Sequence, residues 1–379
     1  MSHMHILFIT PSFDHKYNPL TSIFFEDQVA ALQTTAGNSI GVISVNLISI
    51  KDLFKNNRKI LKGSSSKNVN AYIYYFVSIP KLPRINHFVR TQLGKILFKK
   101  YIRENNLPDI IHVQQFNVGN LAVWIKETYK IPFVITEHSS IFARNLAKNW
   151  EFEIAKNVYK KSCKNICVSE EFSKYLSSHF DVIFSFIPNV VDTEYFTPLR
   201  TINATFTFLN IGSLDENKNQ ILLIRSFNEA FRNNFQFRLI IAGDGAQRKL
   251  LDATIQELSL DKQITLLGEV TRSQVRELLQ SSDCFVLSSK YETFGIVLIE
   301  AMSCGLPAIS TKCGGPLSII TNEKLGILCE FSLKEFSDAM KQVTKREYNP
   351  EYIRSHCLHN YSLNKIGERI VEIYKTSLK

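Results

Sequence analysis

Short apolar runs with β character alternate with helix-like segments along this chain, and the whole alternation occurs twice. The first set of strand-like runs is His5–Thr10, Ser39–Leu47, Asp109–Gln114, Phe133–Glu137 and Asn165–Ser169. Helical patterns accompany them at Ile23–Leu32, Gly94–Glu104, Leu121–Tyr129 and Asn149–Lys160. The second set is Phe206–Ile211, Phe237–Ile241, Ile264–Leu267, Cys284–Leu287 and Ala308–Ser310, with helices at Ile221–Phe231, Lys249–Leu258, Ser273–Leu279 and Ile296–Ser303. Several strands are apolar throughout, as in a parallel sheet covered on both faces. The pattern predicts an α/β protein of two doubly wound, Rossmann-like domains. Between the sets, Ile187-Pro188-Asn189-Val190-Val191-Asp192 breaks regular structure and supplies a hinge. The expected domains are 1–189 and 206–355, joined by a linker over 190–205 and followed by a closing helical segment, 356–379.

The composition, 45% apolar and 21% charged, excludes a disordered or fibrous chain. The seven cysteines show no disulfide framework or zinc-site spacing, so they read as thiols of a reducing, cytoplasmic compartment. No run approaches the roughly 18 apolar residues of a membrane span, and no signal peptide is recognisable at the start.

Charge is distributed unevenly. Residues 51–100 hold twelve Lys and Arg against one acidic residue, Asp52, which leaves the rest of this +10 chain close to neutral. Such a window attracts a polyanion or an anionic membrane surface. Within it Leu82, Ile85, Phe88 and Val89, then Leu93, Ile96 and Leu97, recur at helical spacing, with Lys81, Arg84, Lys95, Lys99 and Lys100 among them. A helix of this kind can rest its apolar edge in the headgroup region while its cations meet acidic lipid. Peripheral attachment to the inner face of a membrane is therefore expected. Nucleic acid is not, because Tyr72, Tyr74 and Tyr75 read as a strand rather than as stacking platforms.

The segment with the most chemical content follows the strand-like Phe285-Val286-Leu287. It places Glu292 in the loop at a strand's carboxyl end and Glu300 inside the next helix. Gly295 lets a ligand approach the backbone where free amides open that helix, a natural seat for a diphosphate. The loop carboxylate can reach a transferred group, and the helical one can accept hydrogen bonds from a pair of ribose hydroxyls.

With Phe294-Gly295, Glu300-Ala301-Met302, Gly305-Leu306-Pro307 and Gly314-Gly315, this segment resembles the Glu-x7-Glu signature of the retaining glycosyltransferases of family 4. The resemblance implies the GT-B fold, two Rossmann-like domains facing a central cleft, with a final helix around Ser362–Tyr374 returning to the first. It implies a nucleoside-diphosphate sugar as donor, a UDP-sugar foremost, in the second domain, and a saccharide or lipid-linked acceptor in the first. Glu292 then lies near the donor sugar and Glu300 on the ribose, with Phe294, Gly295, Ile296 and Val297 around the helix start. Lys218 matches the family's lysine on the diphosphate, and Ser213 stands where relatives carry an arginine. Gly243 and Gly268 match backbone contributors to the donor and base sites. His138, in Thr136-Glu137-His138-Ser139, matches a histidine near donor sugar and acceptor. Ser22 falls where a glycine-containing loop usually approaches the phosphates. By this resemblance His138, Lys218 and Glu292 carry catalysis and no prosthetic group is needed. No Asp-x-Asp pair occurs in the sequence, so no metal requirement is expected either.

Two other readings compete. A two-domain nucleotide-sugar epimerase or hydrolase would process donor with no acceptor present. A non-catalytic carbohydrate-binding protein would have no need of the Glu292/Glu300 pair.

Overall fold

In the computed structural model, which describes residues 3–13, 23–35, 37–49, 69–199 and 204–378, the five apolar runs of the first half become strands and two more join them. They are β1 (His5–Thr10), β2 (Ser39–Ile48), β3 (Asn70–Val77), β4 (Ile110–Gln114), β5 (Phe133–Glu137), β6 (Lys164–Cys167) and β7 (Phe184–Phe186). All pair in parallel in the order β3-β2-β1-β4-β5-β6-β7. β4 and β5 are buried at every position and β1 at all but its first, so their apolar residues fall on both faces and even polar ones such as His112 and Gln114 are enclosed. Parallel neighbours cannot be joined by hairpins, and the intervening helices provide the crossovers.

The second half repeats the plan. Strands β8 (Phe206–Ile211), β9 (Phe237–Ala242), β10 (Ile264–Gly268), β11 (Cys284–Leu287), β12 (Ala308–Thr311) and β13 (Gly326–Cys329) pair in parallel as β10-β9-β8-β11-β12-β13. Each sheet starts in its middle, winds outward on one side, then crosses back to wind outward on the other. The reversal lies between β1 and β4 in the first sheet and between β8 and β11 in the second. Loops leaving the carboxyl ends of such strand pairs diverge, and the space between them is where ligands bind in this topology.

The chain forms two compact units, Met1–Val190 together with Leu363–Lys379, and Val191–Ser362. Helix Leu363–Ser377 contributes Ile366, Ile370, Val371 and Tyr374 to the first unit's core, alongside Phe8, Val29, Val42 and Val134. It lies against helix Ile23–Thr34 so closely that a side chain on Gly367 would come within 2.3 Å of the Ala31 carbonyl oxygen. Only glycine permits that approach. The chain changes unit at Val190–Val191 and again at Ser362–Leu363. Val191 bridges to Ser362, and its amide donates to the Tyr361 carbonyl at 2.9 Å.

Candidate active site

In the second unit, the β8/β11 reversal gathers two polar loops. After β8, Asp215 organises its loop: one carboxylate oxygen accepts the Ser213 hydroxyl at 2.7 Å, and the other accepts the amides of Asn217 and Lys218 at 2.9 and 3.0 Å. Burial alone would raise the Asp215 pKa, but these donors and the Lys218 charge hold it below the usual carboxylate range. The loop after β11 is fastened to this one. Ser288 donates to the Lys218 carbonyl at 2.9 Å, and the Lys290 amide donates to the Asn217 carbonyl at 2.7 Å.

The stitching brings Lys218 and Glu292 together. Lys218 Nζ lies 2.5 Å from Glu292 Oε1, and Ser289 Oγ donates to the same oxygen at 2.7 Å. The two side chains keep 25% and 12% of their surface exposed, so the pair sits in a recess that a ligand can reach. Burial works to lower the Lys218 pKa, yet Glu292, with Asp215 and Cys313 behind it, more than offsets this and leaves it raised, so the ammonium keeps its proton at neutral pH. The main chain of Glu292 is clamped on both sides. Its amide donates to Cys313 O and its carbonyl accepts the Gly315 amide, both at 2.8 Å.

Gly295, in left-handed backbone (φ 101°), opens helix Ile296–Ser303, where Ile296, Val297 and Glu300 are half-buried. Phe294 is buried against Tyr361, ring centroids 6.0 Å apart, and Gly315 packs against its main chain, where a Cβ would come within 2.3 Å of the Phe294 Cα. At the ends of β8, β9 and β10 side chains are absent. The Gly243 amide donates to Gly268 O at 2.7 Å, and a Cβ on Gly243 would lie 1.9 Å from Gly212 O.

The first unit places His138 beyond β5, nearly buried beside Phe24 and Phe25, with Nε2 2.7 Å from Gln114 Oε1. His112, deeper on the same strand as Gln114, contacts the hydroxyls of Tyr374 at 2.6 Å and Thr136 at 2.7 Å. Ser22 lies outside the described residues. Sequence reasoning passed over Asp215, Ser289, Gln114 and Glu137. Only Glu137 had a legible signal, a carboxylate ending an otherwise apolar strand.

Burial lowers the pKa of His138 to about 3; burial and then the nearby His138 lower that of His112 to about 3. Unfolded, each ring takes a proton near pH 6.5. Since both folded values are lower, the stability these rings contribute is complete above pH 6.5 and drains away as pH falls towards 3. Two such rings give a slope approaching about 3 kcal/mol per pH unit between pH 6 and 4. Thermal melts across that window should show the unfolding midpoint dropping steadily in wild type and less steeply in His112→Gln. A flat wild-type profile would contradict this.

Residues 51–68 of the basic window lie outside the described residues. The remainder enters helix Pro83–Asn105, which divides the apolar stripe. Leu82, Ile85, Phe88 and Ile96 are exposed, the last two by 62% and 64%, whereas Val89, Leu93 and Leu97 are half-buried and Phe98 and Tyr101 are buried. Lys81, Arg84 and Lys99 are exposed beside the outward row. Lys95 lies over the Trp124 ring, and Lys100 pairs with Glu104 at 3.8 Å. Among the described residues no helix is long and apolar enough to cross a membrane, and no group of three or more His, Cys, Asp or Glu is placed to hold a metal ion.

Two family profiles together match residues 58–356. That of Glycosyltransferase Family 4 matches residues 58–195, and that of Glycosyl transferases group 1 matches residues 192–356. The chain belongs to glycosyltransferase family 4. A phosphatidylinositol N-acetylglucosaminyltransferase subunit of Saccharomyces cerevisiae is 28% identical over 262 residues, 64% of this chain and 57% of the relative. The chain thus spans little more than half the length of that curated relative. The UDP-Gal:alpha-D-GlcNAc-diphosphoundecaprenol alpha-1,3-galactosyltransferase of Escherichia coli is 26% identical over 327 residues, 78% of this chain and 82% of the relative. Among solved structures, the sucrose-phosphate synthase of Thermosynechococcus elongatus superposes with a TM-score of 0.78 at 17% identity, covering 98% of both chains. The Anabaena protein HepE in complex with UDP gives 0.73 at 17% identity, covering 98% of this chain and 100% of that one. The fold of this family 4 chain is GT-B.

Proposed function

We propose that this chain transfers a glycosyl group from a nucleoside-diphosphate sugar to an acceptor hydroxyl with retention at the anomeric carbon. The observation that carries the reading is the meeting of Lys218 and Glu292 where the second sheet reverses its winding. As the bond from the anomeric carbon to the diphosphate oxygen breaks, negative charge grows on the leaving group, and Lys218 with the opening amides of helix Ile296–Ser303 stabilises it. The acceptor oxygen attacks from the same face, and the departing phosphate oxygen takes its proton. Glu292 holds hydroxyls of the transferred sugar, Glu300 holds the ribose, and the glycine-lined ends of β8, β9 and β10 let the nucleotide lie against main chain. His138, a neutral ring in the unit assigned to the acceptor, takes part in the transfer. A screen of UDP-, GDP- and ADP-sugars for nucleoside diphosphate release, with mass analysis of products, tests the reading. Release from none of them, or equal conversion with and without acceptors, would overturn it.

A cationic group at the diphosphate leaves no task for a metal there. Transfer is expected to survive a chelator; loss restored by Mg²⁺ or Mn²⁺ would count against this.

The acceptor we infer is lipid-linked, and helix Pro83–Asn105 is the surface that meets the cytoplasmic face of the membrane. The exposed row Leu82, Ile85, Phe88 and Ile96, bordered by Lys81, Arg84 and Lys99, supports this, as do relatives whose names specify phosphatidylinositol and diphosphoundecaprenol. Each cation at an acidic surface contributes ~1 kcal/mol. The protein should sediment with phosphatidylglycerol vesicles, less so as salt rises, and changing Lys81, Arg84 and Lys99 to Glu should abolish it. Binding indifferent to salt would sink the idea.

A further inference from the structure

Glu137 ends β5 fully buried, and both its oxygens are saturated by donors. Oε1 accepts the amides of His138 at 2.9 Å and Ser139 at 2.8 Å. Oε2 accepts the amide of Phe116 at 2.9 Å and the hydroxyl of Tyr159 at 2.7 Å. An ionised carboxylate satisfies all four partners, whereas a protonated one would turn its own hydrogen on a donor. Burial pushes the Glu137 pKa up, and these four donors draw it back.

The turn that aims Phe116 N–H at the carboxylate is itself strained. Gln115 has φ 76° and ψ 144°, a region that side chains other than glycine rarely adopt. Such a conformation persists only where surrounding bonds over-determine it, and Glu137 supplies one of them. A single buried carboxylate therefore ties together the turn after β4, the loop carrying His138 and helix Asn149–Lys161. Gln114 then fixes the His138 ring from the end of β4.

We propose that Glu137 is a positioning residue for glycosyl transfer: it locks the His138 loop to the end of β4 and acts on the reaction through the His138 ring. This rests on the reading that His138 takes part in the transfer. Two substitutions separate the ideas. Glu137→Gln keeps the shape but offers an NH₂ group to donors, and Tyr159→Phe removes one donor alone. The probe is the nucleotide sugar turned over fastest in the donor screen, assayed by nucleoside diphosphate release in the full chain, with unfolding midpoints measured alongside.

Glu137→Gln should lower kcat about 100-fold, as a displacement of about 1 Å at a reacting group does. KM for the donor should change less than about threefold, since nucleotide binding belongs to the other unit. Tyr159→Phe should lower kcat by about tenfold. The double variant Glu137→Gln/His138→Ala should be no slower than His138→Ala, because groups acting as one unit are not additive. A purely architectural Glu137 would give losses that multiply, and that result overturns the proposal. Wild-type kcat in Glu137→Gln overturns it as well. If Glu137→Gln does not fold, the cycle of Tyr159→Phe with His138→Ala decides in the same way. Full activity in His138→Ala would instead remove the assignment of His138 itself, and the proposal with it.

Discussion

Replacing Lys218 with Ala should reduce kcat/KM for the nucleotide sugar by about a hundred- to a thousandfold, the usual consequence of losing one donor aimed at developing charge. The loss should be at the upper end here. Ser213, which the family resemblance sets in the place of an arginine, gives its hydroxyl to Asp215. Lys218 also neutralises Glu292, which is only 12% exposed. Without the ammonium, a poorly solvated carboxylate is left close to where the diphosphate would lie, and attraction turns into repulsion. Steady-state release of nucleoside diphosphate over a range of donor concentrations measures it. A change of less than about fivefold would show that the diphosphate is held by main chain and helix alone.

Glu292→Gln should separate catalysis from nucleotide binding. Turnover should fall about 100-fold if, as proposed, this carboxylate holds the transferred sugar in the reaction. Free UDP, which carries no sugar, should bind at least as tightly as to wild type, since Lys218 no longer has a competing partner at 2.5 Å. Glu300→Ala should behave in the opposite sense, weakening UDP binding by about tenfold through the lost ribose contacts while sparing kcat. Calorimetric titration with UDP beside steady-state kinetics discriminates the two. Equal small losses in both variants would remove the division of labour assigned to the pair.

The double α/β plan was legible because central parallel strands are covered on both faces, so β11 appears as a solid apolar run and β4 and β5 open on apolar pairs with their later polar residues buried as well. The margins were less visible. β7 has only three residues, its middle one an exposed serine, and β13 opens on a glycine, so each takes its strand character from the neighbour it pairs with. Within the site, spacing on one stretch of chain pointed to Glu292, Gly295 and Glu300. What could not be foreseen was that Lys218 bonds to Glu292 across 74 positions, or that Ser213 turns towards Asp215. Those contacts depend on where two loops leave neighbouring strands, which is a property of the sheet. The exposed half of the apolar stripe on helix Pro83–Asn105 was hidden for a related reason. Periodicity shows that a helix has apolar residues on it, and packing decides which of them the sheet covers.

The interruption of the first unit by Val191–Ser362 has a consequence for biosynthesis. The domain that leaves the ribosome first is the one finished last, because Ile366, Ile370 and Tyr374 must arrive before its core closes over Phe8 and Val29. At ordinary elongation rates the nascent first sheet waits roughly 10–40 s while an entire second domain emerges and folds. Throughout that interval the surface reserved for helix Leu363–Ser377 is bare and adhesive. Chains stalled before residue 363 would therefore present chaperones and proteases with a finished second unit tethered to an open first one.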